Sequence, residues 1–181
     1  MAQTASRDGL LFRCAVADEA GLVAALVNSA YRGDSSRAGW TTEADLLGGQ
    51  RTDSGAISLL IEDENAQLLL AVRATEIIGS VHLQRVDATT VYLGMLVIKP
   101  VLQGQGLGNR LMQAAETWAY KEWDSRRAEM QVITLREELI AYYERRGYRR
   151  TGEIRPFPSE PEFGLPKVEA LQFAVLEKSL D

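Results

Sequence analysis

The chain has 181 residues, 46% of them hydrophobic and 25% charged, with 20 basic against 25 acidic side chains and a net charge of −5. That profile is ordinary for a soluble globular protein with one domain and a sizeable core, and it argues against nucleic acid as a partner, since such proteins usually carry a basic surface. One cysteine, Cys14, and one histidine, His82, exclude an internal disulfide framework, a CxxC site and the HExxH zinc pattern, so no metal is expected.

Residues 1–9 are polar, lack an apolar leader and are expected to be flexible, leaving 10–181 as a single domain. No run reaches the roughly 18 apolar residues of a spanning helix, so a cytoplasmic location without membrane contact is expected. Residues 10–16 read as a first strand, with Cys14 a packing residue and not a nucleophile. Asp18 suits a helix N-cap, and Leu22, Val23, Leu26, Val27 and Ala30 recur at helical spacing. Residues 31–39 form a polar turn segment. Thr41 or Thr42 would cap a short helix to Leu47, and Thr52 or Asp53 another with Ile57, Leu60 and Ile61 on one face.

From Gln67 the pattern changes. Segments 68–72, 77–86 and 91–98 read as strands joined by short turns, an antiparallel meander. A helix with Leu107, Leu111, Met112, Ala115, Trp118 and Ala119 on one face ends near Trp123. Met130–Leu135 is a strand, parallel to 91–98 if the helix is its crossover. Residues 137–146 form a helix closed by Gly147, which suits a left-handed C′ position. Tyr148–Ile154 is a strand, the proline-rich segment 155–166 a loop, and 168–177 the last strand. The sum is a mixed α/β sheet with helices on its faces.

The most informative stretch is 96–109, Leu-Val-Ile-Lys-Pro-Val-Leu-Gln-Gly-Gln-Gly-Leu-Gly-Asn. A strand runs into a loop with Gly104, Gly106 and Gly108, and the loop opens a helix. Glycines admit a ligand close to the backbone. Unpaired amides and the positive end of the helix dipole favour a phosphate there. The spacing GxGxG differs from the GxGxxG dinucleotide fingerprint, and no Lys-Ser or Lys-Thr completes a P-loop.

Gln103-Gly104-Gln105-Gly106-Leu107-Gly108 resembles the Q/R-x-x-G-x-G/A signature of the GNAT superfamily of acyl-CoA-dependent N-acyltransferases. Ala141-Tyr142-Tyr143-Glu144-Arg145-Arg146-Gly147-Tyr148 is similar to the Y-E-x-x-G-F/Y element of the same family, and the order of elements from Leu10 to Leu176 also matches. The resemblance implies a mixed, mostly antiparallel α/β (α+β) sheet of about seven strands, with the parallel fourth and fifth strands splayed around CoA. Acetyl-CoA is the implied cosubstrate. Its pyrophosphate would be cradled by the amides of Gln103, Gly104, Gln105, Gly106, Leu107, Gly108 and Asn109. Leu96, Val97 and Ile98 would lie along the pantetheine arm, bound through main chain. The implied reaction is direct attack of a primary amine, on a small molecule or peptide, in a ternary complex. A homodimer is common among such relatives.

Tyr143 stands where that family places its general acid. A tyrosine with a pKa of about 10 can protonate a leaving thiolate whose thiol has a pKa of about 8.5. Tyr142 is the competing candidate, rotated by about 100° on the helix. The base is less evident, because strand 91–98 has no acidic residue. His82 is the candidate base, and Tyr92 is a candidate to hold a water. The acceptor loops implied by the resemblance are 31–40, with Tyr31, Arg32, Asp34, Arg37 and Trp40, and 155–166, with Glu160, Glu162 and Phe163. Arg32 or Arg37 could clamp an acceptor carboxylate. His82 and Asp87 also fit the H-x4-D spacing of glycerolipid acyltransferases, a weak match. The main alternative is an acyl-CoA-binding sensor without turnover. A dinucleotide oxidoreductase is the third reading.

Overall fold

The computed structural model describes residues 9–40, 42–158 and 164–181. β1 (Leu10–Cys14) leads through a 3-10 turn into α1 (Ala20–Tyr31) and the one-turn α2 (Gly33–Ser36). β2 (Leu47–Gly48) and α3 (Ser54–Glu62) follow, then β3 (Ala66–Arg73), β4 (Glu76–Arg85) and β5 (Thr90–Ile98). α4 (Leu107–Trp123) crosses to β6 (Arg127–Ile133). After it come α5 (Glu137–Glu144), β7 (Arg149–Pro156), β8 (Leu165–Pro166) and β9 (Gln172–Ser179). The main sheet has seven strands in the order β1-β3-β4-β5-β6-β9-β7, and all its pairs are antiparallel except β5–β6. This is the mixed, mostly antiparallel architecture expected, with the parallel pair made by the α4 crossover.

Both faces of the sheet are covered, which explains why β3 is an almost unbroken apolar run. Leu69 and Ala71 pack toward Leu111, Met112, Ala115 and Ala119 of α4. Leu68, Leu70 and Val72 pack toward Val23, Leu26 and Val27 of α1 and Ile57 of α3. Period two in the strand thus serves two cores at once.

Several local expectations are corrected. Asp18 does not cap α1. Residues 17–19 form the 3-10 turn, and Glu19 accepts a hydrogen bond from the Val16 amide at 3.0 Å and pairs with Arg13. No helix runs from Thr42 to Leu47. Leu47 and Gly48 instead pair with Pro166 and Leu165 of β8, a long-range contact that local propensity cannot announce. The polar turn 31–39 holds the short α2. β6 begins at Arg127, where pairing with both β5 and β9 starts. β9 begins at Gln172 and not at Val168. Asp53 does cap α3, accepting from Ala56 N–H at 2.8 Å. Gly147 has φ 94° after α5. Thr41, Glu160 and Glu162, with Phe163, lie outside the described residues.

Candidate active site

The site begins with a defect in β5. Met95 has φ 45°, a left-handed value rare for a side chain of this size. At the same place the β4–β5 register slips by one, from Ser80↔Val97 to His82↔Gly94. The extra residue is a β-bulge. It reverses the alternation of the strand. Val91 and Leu93 join the α4 core, whereas Met95 and Val97 join the α1 core.

β5 and β6 pair only at Thr90↔Arg127, Val91↔Ala128 and Tyr92↔Glu129. Beyond that point the strands separate, and residues 93–96 face 130–133 across a cavity of about 170 Å³. The facing edges carry main-chain donors and acceptors that an extended, amide-bearing molecule can pair with, as an added strand would.

At the open end of this split lies the glycine loop. Gly104 has φ 80° and Gly106 φ 76°, conformations that a side chain resists. A Cβ built at either meets nothing within 4 Å, so the loop's backbone is open to a ligand. Gly106 is the N-cap of the 17-residue α4, and no side chain caps that helix start. The result is a concave set of amides backed by the positive end of a helix. Beside it Asn109, Gln113, Arg145, Arg146 and Lys178 rim an open basin.

Gln103 ties the loop to its surroundings. Its Nε2 donates to the Ile98 carbonyl at 3.1 Å, and its Oε1 accepts the Trp40 amide at 3.0 Å. Trp40 packs on Tyr142 with ring centroids 5.4 Å apart. Trp40, expected on the acceptor side, therefore stands beside the glycine loop and outside the cavity lining. Tyr142 also belongs here. Its hydroxyl lies 3.4 Å from where a Gly108 Cβ would sit, and the Arg146 guanidinium stacks on its ring. Leu96 lines the cavity. Val97 is buried against the α1 side, and the Ile98 side chain lies near Gly108.

The closed end of the split gathers three tyrosines. Tyr143, one position on from Tyr142, turns inward and lines the cavity with Tyr31 and Tyr92. Burial pushes the Tyr143 phenol far up, so that it is protonated at neutral pH, with Tyr31 adding to the effect and Arg136 opposing it. Burial also raises Tyr31, to about 12, with Glu43 adding and Arg51 and Arg136 opposing. Tyr92 is raised by burial too. Its ring folds back over Gly94, where a Cβ would come within 2.7 Å of the ring. Glycine at 94 is what lets Tyr92 lie along the cavity floor.

Arg32, Glu43, Arg51 and Arg136 complete the polar wall. Glu43 accepts from Arg32 through Oε2 and from Arg136 through Oε1 at 2.9 Å. Arg51, Arg136 and Glu43 are the residues that sequence reasoning missed. Each is an isolated charge in a segment without a motif, so no signal marked them. Arg37, a candidate carboxylate clamp, lies instead at the surface paired with Asp45 at 2.7 Å.

His82 is not among the cavity-lining residues. It sits behind Tyr92, with ring centroids 6.3 Å apart, and contacts Gln84. Burial lowers its pKa to about 4, so it is neutral at pH 7. Asp87 does not join it in a pair: its carboxylate accepts the amides of Thr89 and Thr90 in the β4–β5 turn. Cys14 is also outside the lining, its thiol pushed up by burial. Among the described residues no group of His, Cys, Asp and Glu is arranged to hold a metal ion, and no helix is long and apolar enough to cross a membrane.

Comparison with known proteins agrees with this geometry. The chain is similar in structure to a GNAT-family acetyltransferase from Streptococcus pneumoniae, at 22% identity and a TM-score of 0.67, covering 94% of this chain and 99% of the other. It is similar to a GNAT-family acetyltransferase from Elizabethkingia anophelis solved with acetyl-CoA bound (18%, 0.61, 96% and 100%). A putative phosphinothricin N-acetyltransferase gives 16% and 0.70, with 95% and 99% covered. No curated protein matches by sequence. Identities this low show a shared fold. The sequence match is more specific: residues 49–157, which hold the glycine loop, the split strands and Tyr143, fit the model of the acetyltransferase (GNAT) domain, and the chain belongs to that family.

Proposed function

We propose that the chain is an N-acetyltransferase that moves an acetyl group from acetyl-CoA to a primary amine by direct attack in a ternary complex. One juxtaposition carries this reading. The β5–β6 split runs from the glycine loop at one end to the Tyr143 phenol and a polar cavity at the other. The loop amides and the uncapped start of α4 suit a pyrophosphate. Arg145 and Arg146 stand nearby for a further phosphate, and the free edge of β5 suits the pantetheine amides. The similar protein from Elizabethkingia anophelis holds acetyl-CoA.

The amine nitrogen attacks the thioester carbonyl carbon, the C–S bond breaks, and the sulfur leaves with the electron pair. Tyr143 donates its proton to that sulfur and regains one from solvent. Before attack the ammonium must lose a proton. Glu43 has both oxygens engaged by guanidinium groups, and His82 is a weak acceptor set behind Tyr92. Water held by the Tyr31 and Tyr92 hydroxyls therefore takes that proton. Products are an acetamide and CoA.

The commitment of Glu43 also favours a second reading, a donor-binding sensor without turnover. Incubation with acetyl-CoA and a broad amine panel, with thiol detection, separates the two. Amine-dependent CoA release matched by acetamide is expected. Saturable acetyl-CoA binding with no release from any amine would establish the sensor.

A further inference from the structure

Among the described residues, the acceptor wall carries three guanidinium groups and one carboxylate. Arg32, Arg51 and Arg136 line the cavity, and Glu43 is the one acidic residue among the described lining. Glu43 is spent on Arg32 and Arg136. Arg51 is different. Its side chain is partly buried in the cavity wall, its guanidinium carbon stands 5.9 Å from the centre of the Tyr31 ring, and among the described residues it has no carboxylate partner. Its backbone is held in place by the Asn28 side chain, which accepts the Arg51 amide at 2.7 Å. A partly buried guanidinium that faces a cavity without a carboxylate partner is a ready site for an anionic ligand, which it can hold by charge-assisted hydrogen bonds.

Resting on the acetyltransferase reading, we infer that the acceptor is an amine that also bears a carboxylate or similar anionic group, and that Arg51 binds that group. Tyr31 and Tyr92 connect the two ends of such a molecule. Both lie in the field of Arg51, and both line the cavity with Tyr143, where the amine must react. The arrangement separates an anion site from the reacting end by the width of a small cavity. A polycation such as spermidine meets the wrong sign of charge there.

The test uses matched acceptors that differ only in charge: α-amino acids, their primary amides, and spermidine, each with acetyl-CoA and thiol detection. For at least one pair the acid is expected to exceed its amide in kcat/KM by roughly 10- to 100-fold, the value of a charge-assisted hydrogen bond. The less basic amine of the amide biases the chemistry the other way, so a preference for the acid is not an artefact of amine protonation. Arg51→Gln is expected to bring the acid-to-amide ratio toward one through KM, whereas Arg37→Gln, at a surface ion pair, should leave the ratio as it is. Preference for amides or spermidine, or a ratio untouched by Arg51→Gln, overturns the inference. Thermal unfolding with the same acids supplies a readout independent of turnover. Protection by an acid and not its amide, lost in Arg51→Gln, upholds the anion site even if no amine is acetylated. Acetylation of amines with no such protection and no acid preference overturns the anion site and leaves the acetyltransferase reading intact.

Discussion

Replacing Tyr143 by Phe removes one oxygen from the cavity wall and leaves a ring packed between Tyr142 and Tyr148, with centroids 5.3 and 6.0 Å away. Among the described residues the Tyr143 hydroxyl has no protein hydrogen-bond partner, so its loss breaks no native bond. Stability should change by no more than about 0.5 kcal/mol. The proposed proton donor for the leaving sulfur is gone, however, and turnover should fall by roughly 10²- to 10⁴-fold, about 3–5 kcal/mol of barrier. Tyr148, five positions on, gives the contrast. It is 1% exposed, and its hydroxyl donates at 2.8 Å to Glu116, which also accepts from Lys178 at 2.6 Å. Tyr148→Phe removes a bond to a buried charge worth about 1.5–3 kcal/mol, and for a chain of this size each kcal/mol moves the midpoint by about 2–4 °C. Both variants are measured by thermal unfolding and by CoA release on the same preparations. Tyr143→Phe with a rate within a few-fold of the parent would refute proton donation by this residue. A Tm loss in Tyr143→Phe as large as in Tyr148→Phe would show that its activity falls for structural reasons.

Three further outcomes are expected. Gly106→Ala places a Cβ on a backbone with φ 76°, a conformation costing about 1–2 kcal/mol for an L side chain. If the loop relaxes and acetyl-CoA must restore it, Kd rises by roughly 5- to 30-fold, and calorimetry showing an unchanged Kd would remove the loop from the donor site. Gly94→Ala puts a Cβ 2.7 Å from the Tyr92 ring and swings that side chain out of place. The expected loss in kcat/KM reaches about 100-fold with circular dichroism unchanged; a fully active variant would show that Tyr92 has no positional role. His82 titrates at 6.5 in an unfolded chain and at about 4 in the fold. The unfolded state thus binds more protons between those values. Its contribution is fully present above pH 6.5 and is lost as pH falls toward 4, on the order of 3 kcal/mol. His82→Gln should flatten that limb of a Tm–pH profile, and an unchanged slope would mean that His82 is not its source.

The geometry of the glycine loop was legible before any coordinates. Gln103 to Asn109 are contiguous, and their positive-φ glycines and uncapped helix start act through local backbone geometry. The motif also singled out the Tyr142–Tyr143 pair, though which of the two faces the cavity is a matter of the fold. One helical step separates the two, and the fold turns one phenol into the cavity and the other toward Gly108. The expectation failed where partners are remote. Trp40 was expected at the acceptor end but is held beside the glycine loop by Gln103. Leu47 was expected in a helix but pairs with Pro166.

By itself, the sequence determined the elements whose hydrophobic period is long and uninterrupted, the order in which they follow, and the glycine loop, since each depends on residues close together along the chain. The tertiary structure alone decided where β5 leaves β6, because the bulge at Met95 exists only relative to the register of β4. It alone decided that Arg51, Glu43 and Arg136 share one wall with Tyr143. Charges far apart in sequence interact through space, and nothing in the chain order records which of them a fold will bring within reach of one another.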